Sequence, residues 1–169
     1  KRTGQLAKAH PELLEAFARG ETRSTLCYTQ FSGIPLTRGT ITVLPGPTNA
    51  SCANASRLYS SANFSTVCGE VTGGASCGTA TNSGPAVWYS YIAPCTGVAT
   101  ITTCGSAINT FLNVFSGSCS SLTPLACNDN QGSQCPSQPQ SSATTFNTIA
   151  GSEYLIRIGT VGTTGMGTV

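Results

Sequence analysis

Charged side chains are scarce in this sequence: Asp, Glu, Lys and Arg together make up 8% of it, and there is one histidine. Asp129 is the single aspartate, and Glu12, Glu15 and Glu21 leave only Glu70 and Glu153 for the rest of the chain. A Ser/His/Asp triad would have to use His10, beside Pro11, and no G-x-S-x-G accompanies it. A carboxylate pair for glycoside hydrolysis would have to come from Glu70, Asp129 and Glu153, none in a recognisable setting. The chain therefore reads as non-catalytic. With a net charge of +2 and no basic cluster interleaved with aromatics, it has no electrostatic footprint for nucleic acid. No run approaches the ~20 apolar residues of a membrane helix. No charged n-region with an apolar h-region opens the chain, so a secreted protein would already have lost its signal peptide.

What the sequence does have is hydroxyl groups, 19 glycines, 9 prolines and 9 cysteines. Cysteines among so few charges point to an oxidising compartment and a disulfide framework, hence an extracellular or cell-surface protein. The disulfide candidates are Cys52, Cys68, Cys77, Cys95, Cys104, Cys119, Cys127 and Cys135. Short separations such as Cys95 to Cys104, across "TGVATITT", suit the pinning of adjacent segments, while the connectivity is left open by the sequence. The odd count leaves Cys27 as the candidate free thiol or intermolecular link, against the plainer reading that it pairs within the body. No C-x-x-C pair is present, and zinc finds little support.

Residues 1–24 differ from all that follows, holding most of the charge and the one helical signal, and residues 1–48 together form an N-terminal helix and extended arm. "AHPELLEAFARG" predicts a short N-terminal helix over 11–19, with Pro11 in the first turn, Glu12 and Glu15 near the positive end and Gly20 at the cap. Leu13, Leu14 and Phe17 belong to its apolar stripe, which must dock, because so short a helix is not stable alone. An extended arm follows. In "GTITVL" (39–44), Ile41 and Val43 share one face, Thr40 and Thr42 the other. From 49 to 169, strands are expected over 86–92, 97–103, 110–116, 122–126, 142–149 and 153–159, separated by turn signals at regular intervals. The fold class is all-β, a disulfide-rich antiparallel β-sandwich or jelly roll. The final "TTGMGTV" is too short for a further strand of ordinary length. The body is therefore expected to lack its last strand.

The motifs "VWYSYIAPCTGVATITTCGSAINTFLNVFSGSC", "PLACNDN" and "FNTIAGSEYLIRIG" resemble the pre-peptidase C-terminal-like β-sandwich domains of secreted bacterial proteins, over about residues 50–167. The resemblance implies a fold and a non-catalytic accessory role in adhesion, secretion or substrate contact, not an activity. Family members continue past the glycine turn into a last strand of alternating apolar and Thr residues, and they have no counterpart of the N-terminal extension.

Three sequons, at Asn49, Asn54 and Asn63, are candidates for glycosylation. Asn128, Asp129 and Asn130 form the one oxygen-rich cluster. A single carboxylate makes a weak calcium site, and an Asx-rich turn is the plainer reading, so no cofactor is expected beyond that slender calcium possibility. Trp88, Tyr89 and Tyr91 suit a sugar platform if exposed, but they sit in the most apolar strand and read as core.

A sandwich short of one strand exposes an unpaired edge. The arm offers a strand to fill it, through Ile41, Val43 and Leu44, with 153–159 as one wall of the accepting groove and the helix bracing the junction. The expected partner is therefore another copy of the chain: strand addition head to tail gives a homopolymeric extracellular filament, similar in principle to donor-strand pili. The alternative is that the arm folds back on its own body, leaving an accessory adhesion or carbohydrate-binding module of a larger secreted hydrolase.

Overall fold

The structure, a computed structural model, describes residues 26–27, 35–36, 39–40, 43–44, 46–67, 76–77, 84–130, 133–161 and 164–169. The chain divides into two compact units, Lys1–Pro45 and Gly46–Val169. In the first, β1 (Leu26–Cys27) is paired by a later segment, β4 (Val43–Leu44), in parallel, Leu26 beside Val43. Between them β2 (Pro35–Leu36) forms an antiparallel pair with β3 (Gly39–Thr40). The strand expected over 39–44 is thus divided between two ladders. Gly39–Thr40 pairs with the segment nearest in sequence, where loop closure costs least. The helix at 11–19, with Leu13, Leu14 and Phe17, lies outside the described residues, as does Ile41.

The second unit is β-rich. Its elements are β5 (Ser56–Arg57), β6 (Asn63–Ser65), β7 (Ala86–Ile92), β8 (Gly97–Thr102), β9 (Thr110–Ser118), β10 (Ser121–Asp129), β11 (Ala143–Thr148), β12 (Glu153–Thr160) and β13 (Met166–Thr168). Five make one sheet in the order β10-β9-β12-β7-β5, antiparallel except for the β5/β7 pair. The β9/β10 hairpin turns at Cys119 and Ser120. Gly117 enters that turn at φ +93, where a Cβ would meet the Ser121 carbonyl oxygen, so the position requires glycine.

Alternation along the central strands gives the sheet two apolar faces. Val87 and Tyr89 of β7, Leu112 and Val114 of β9, and Tyr154, Ile156 and Ile158 of β12 all join the main core. Two smaller ladders, β8/β11 and β6/β13, contribute Ile101, Phe146 and Phe64 to that same core. Each such side chain contributes roughly 1.5 to 3 kcal/mol on burial. Residues of the other parity, Trp88, Phe115 and Leu155, form a second cluster, Trp88 stacked on Phe115 at 5.7 Å between ring centroids. Trp88 is 5% exposed and is a core residue.

Hydroxyl groups join the layers at one end. Thr103 and Thr110 Oγ1 lie 2.6 Å apart, and both accept from the Ser142 N–H at 2.9 Å. Thr103 Oγ1 donates to the Ser142 carbonyl and Ser142 Oγ to the Thr110 carbonyl, at 3.1 and 2.6 Å. All three residues are buried. The knot ties the end of β8, the start of β9 and the start of β11.

Among the described residues three disulfides are formed, Cys52–Cys119, Cys77–Cys127 and Cys104–Cys135, closing separations of 67, 50 and 31 residues. In the chain-entropy picture each is worth about 4 kcal/mol. The short Cys95–Cys104 separation is not bridged; Cys95 is free and exposed. The two residues sit at opposite ends of β8, whose six residues span about 20 Å, far beyond the reach of a disulfide. Cys27 pairs by its backbone in β1, and Cys68 lies outside the described residues.

The body also ends in a strand that the sequence reading left out. β13 pairs antiparallel with β6, Gly167 beside Phe64, and the ladder is extended by reciprocal bonds between Ala62 and Val169 at 2.9 Å. Three residues suffice because hydroxyl groups complete the hydrogen bonding: Thr66 Oγ1 accepts from the Gly165 N–H, and Ser106 Oγ accepts from the Thr168 N–H and donates to its carbonyl.

Replacing Thr103 by Val should leave the buried Ser142 N–H with a poorer acceptor and lower stability by about 1 to 3 kcal/mol. Thr145→Val, at an exposed position on the same ladder, should change it by less than about 0.5 kcal/mol, both measured by urea unfolding.

Candidate functional site: the open edge of β8

β8 pairs on one side only. Its partner β11 runs antiparallel in the register Thr102 to Ala143 through Gly97 to Thr148. The bond from Thr103 N–H to the Ser142 carbonyl, 2.8 Å, fixes the alternation: Ile101, Ala99 and Gly97 direct their backbone groups to β11, and Val98, Thr100 and Thr102 direct theirs away. Among the described residues no strand pairs with that outward edge. The strand "GVATIT" contains neither charge nor proline.

The other edges are blunted. β10 carries Pro124 and a register shift between Pro124 and Ala126. β5 is two residues long. β11 gives its Ala143 N–H to Asn128 Oδ1 at 3.1 Å. β13 has the Ser106 hydroxyl on its outer side. β11 equals β8 in length, and β8 differs from it in having none of its outward backbone groups engaged among the described residues.

The main core is incompletely covered at Ala62, Tyr91, Ala99 and Val169, which pack against it yet are only partly buried. On the outer face of β8 Val98 is 70% exposed. Gly165, Gly167 and Thr168 face Ile108, Ser106 and Gly105 in turn, so the two backbones run in opposite directions. A strand prolonging the line of β13 would be antiparallel to β8.

The structure relocates several residues singled out in the sequence. The segment 153–159 is no wall of an accepting groove: β12 lies inside the sheet, bonded on both edges by β7 and β9, and has no free backbone to offer. Only its side chains Tyr154, Ile156 and Ile158 face the core. Val43 and Leu44 form β4 in the first unit. Asn49 is buried, its Nδ2 donating to the Trp88 carbonyl at 2.9 Å while Trp88 N–H donates back to the Asn49 carbonyl at 2.8 Å. A glycan on that Nδ2 would break the bracket. Asn54 and Asn63 are exposed. His10 and Glu70 lie outside the described residues, and Glu153 stands 3.8 Å from Arg57 at the surface.

Asn128, Asp129 and Asn130 are successive residues at the end of β10, so neighbouring side chains leave on opposite faces. Asn128 Oδ1 is engaged by Ala143, and Asn130 takes a positive φ of 65. Asp129 Oδ1 is buried without a hydrogen-bond partner among the described residues. Burial pushes the Asp129 carboxyl above its usual range. On the far face of the sheet Arg157 is buried with its guanidinium 6.0 Å from the Trp88 ring, and burial lowers its pKa to about 10. Three members of this site, Val98, Thr100 and Ser106, were passed over in the sequence. The absence of charge and proline from 97–102 was the available signal.

The raised Asp129 pKa carries a sign. With the folded pKa above the unfolded one, the charged carboxylate destabilises the fold at neutral pH, and the penalty fades as pH falls through the folded pKa. Asp129→Asn should therefore raise the melting temperature at pH 7, with the advantage vanishing in acid below the ordinary aspartate pKa of about 3.9. Thermal melts of both proteins across pH check this. Compared with known proteins, the chain matches no family model, no curated protein and no solved structure.

Proposed function

We propose that this chain is a non-catalytic extracellular structural subunit that assembles head to tail into a filament by strand donation. Its body is taken as a β-sandwich of the pre-peptidase C-terminal-like kind. The observation that carries the reading is the edge of β8: an uncharged six-residue strand with unpaired outward backbone groups, its Ala99 packed on the core yet only partly buried. An exposed edge of this kind pairs readily with another chain. The Lys1–Pro45 unit supplies the donor. A contact between two different surfaces does not close on itself, so repetition gives a fibre. Three disulfides support an oxidising compartment, the single Asp and single His support the absence of catalysis, and exposed Asn54 and Asn63 support glycan attachment.

A second reading, an accessory carbohydrate-binding module, is favoured by one feature. A cavity of ≈ 300 Å³ is lined by Ser90, Ser118, Glu153, Leu155 and the Cys52–Cys119 disulfide, a mixture of hydroxyl, carboxylate and apolar surface suited to a sugar. Retention of a discrete monomer on a glycan column would favour it.

The assembly reading is tested by negative-stain imaging and size measurement of the full chain, a truncation beginning at Thr48, and Thr100→Pro. Proline at 100 removes an N–H that β11 does not use, so the fold should survive with a loss of less than about 1 kcal/mol. Fibres from the full chain and monomers from both variants are expected. A full chain that stays monomeric at every concentration overturns the reading.

A further inference from the structure

The acceptor edge has a sequence pattern of its own, and one segment of the chain matches it on both faces. β8 presents Ala99 and Ile101 inward and Val98, Thr100 and Thr102 outward. Resting on the strand-donation reading, we infer that residues 39–44 of a second copy lie antiparallel to β8, with Ile41 opposite Ile101 and Val43 opposite Ala99. Residues 40–44 then face Thr102–Val98, five of the six residues of β8.

Directly opposed residues of an antiparallel pair share a face. In this register Ile41 and Val43 turn to the core side, where Tyr91 and Val169 are only partly buried in the lone body. On the outer face Thr42 meets Thr100, Thr40 meets Thr102, and Leu44 covers Val98, the side chain left 70% exposed. The outward backbone groups of Val98, Thr100 and Thr102 bond to Leu44, Thr42 and Thr40. Pro45, which cannot donate, falls opposite Gly97, where even a Cβ would meet nothing within 4 Å. Gly39 falls opposite Thr103, where the hydroxyl knot begins. Both ends of the segment therefore coincide with ends of the edge.

Alternative placements match less well. A slip of one residue turns Ile41 and Val43 to solvent and drives Thr40 and Thr42 inward. A slip of two sets Ile41 against Thr103, already engaged with Ser142 and Thr110, or leaves Val43 against Gly97 and Leu44 beyond the strand. A parallel strand opposes Leu44 to Thr102 and leaves Val98 beside Thr40. It would also run against the line of β13.

Two variants with one introduced cysteine each test this, both also carrying Cys95→Ser to remove the exposed free thiol and Cys27→Ser to remove the candidate intermolecular link. One bears Thr42→Cys and the other Thr100→Cys; they are mixed under oxidised glutathione and run on a non-reducing gel. Thermal melts first confirm that each is folded. A disulfide-linked dimer is expected from the mixture, at least tenfold more than from Thr42→Cys mixed with Thr102→Cys. Fibres without the 42/100 link overturn the register while the filament reading stands. No fibres from the unaltered chain overturn both. An intramolecular link in a monomer carrying both cysteines shows donation within one chain and overturns the second-copy assignment.

Discussion

The buried hydroxyl knot of Thr103, Thr110 and Ser142 governs how the small ladders sit on the five-stranded sheet. It stands where β8 ends and β9 and β11 begin, and it gives each buried hydroxyl and the Ser142 N–H a partner. A neutral hydrogen bond is worth only about 1 kcal/mol net, but an unmade one in this setting costs up to about 3. The knot therefore acts by specificity. Only the register that pairs Thr103 with Ser142 satisfies it, and this register sends the backbone of Val98, Thr100 and Thr102 away from β11. The open edge is a consequence of the knot.

Scarcity of charge works in the same direction. Natural sheets commonly guard long edges with lysine, proline or a bulge. This body uses proline and a bulge on β10, shortness on β5 and a serine hydroxyl on β13. The ion pair Arg57 to Glu153, at 3.8 Å between partly exposed groups, adds little stability. In a chain so poor in lysine, the usual guard for β8 is unavailable from composition alone.

The six long strands of the body were legible in the sequence as strand-forming runs separated by turn signals at regular intervals, β10 included despite its register shift. The 86–92 expectation coincides with β7, and the others differ from the structure by one to three residues at their ends. Trp88 was readable as core because its strand is the most apolar of them. The misses have physical causes. Cys95 and Cys104 are close in sequence but separated by a whole strand, so proximity along the chain misled. β13 escaped notice because side-chain hydroxyls from Ser106 and Thr66, distant in sequence, do part of the work of a longer ladder. β12 was mistaken for an edge because its alternation says which side chains are buried and nothing about which backbone is paired. The N-terminal helix and Ile41 fall outside the described residues, and Gly39–Thr40 and Val43–Leu44 are divided by local pairing that periodicity does not encode.

A strand joins a sheet usefully only if it satisfies backbone and side chains together. Two-residue ladders such as β1/β4 and β2/β3 satisfy few backbone groups. The β8 edge offers a six-residue strand with partly covered core on one face and Val98 on the other. On the strand-donation proposal, moving residues 39–44 from the first kind of pairing to the second would lengthen the ladder they join, without moving β8, whose register the knot already holds.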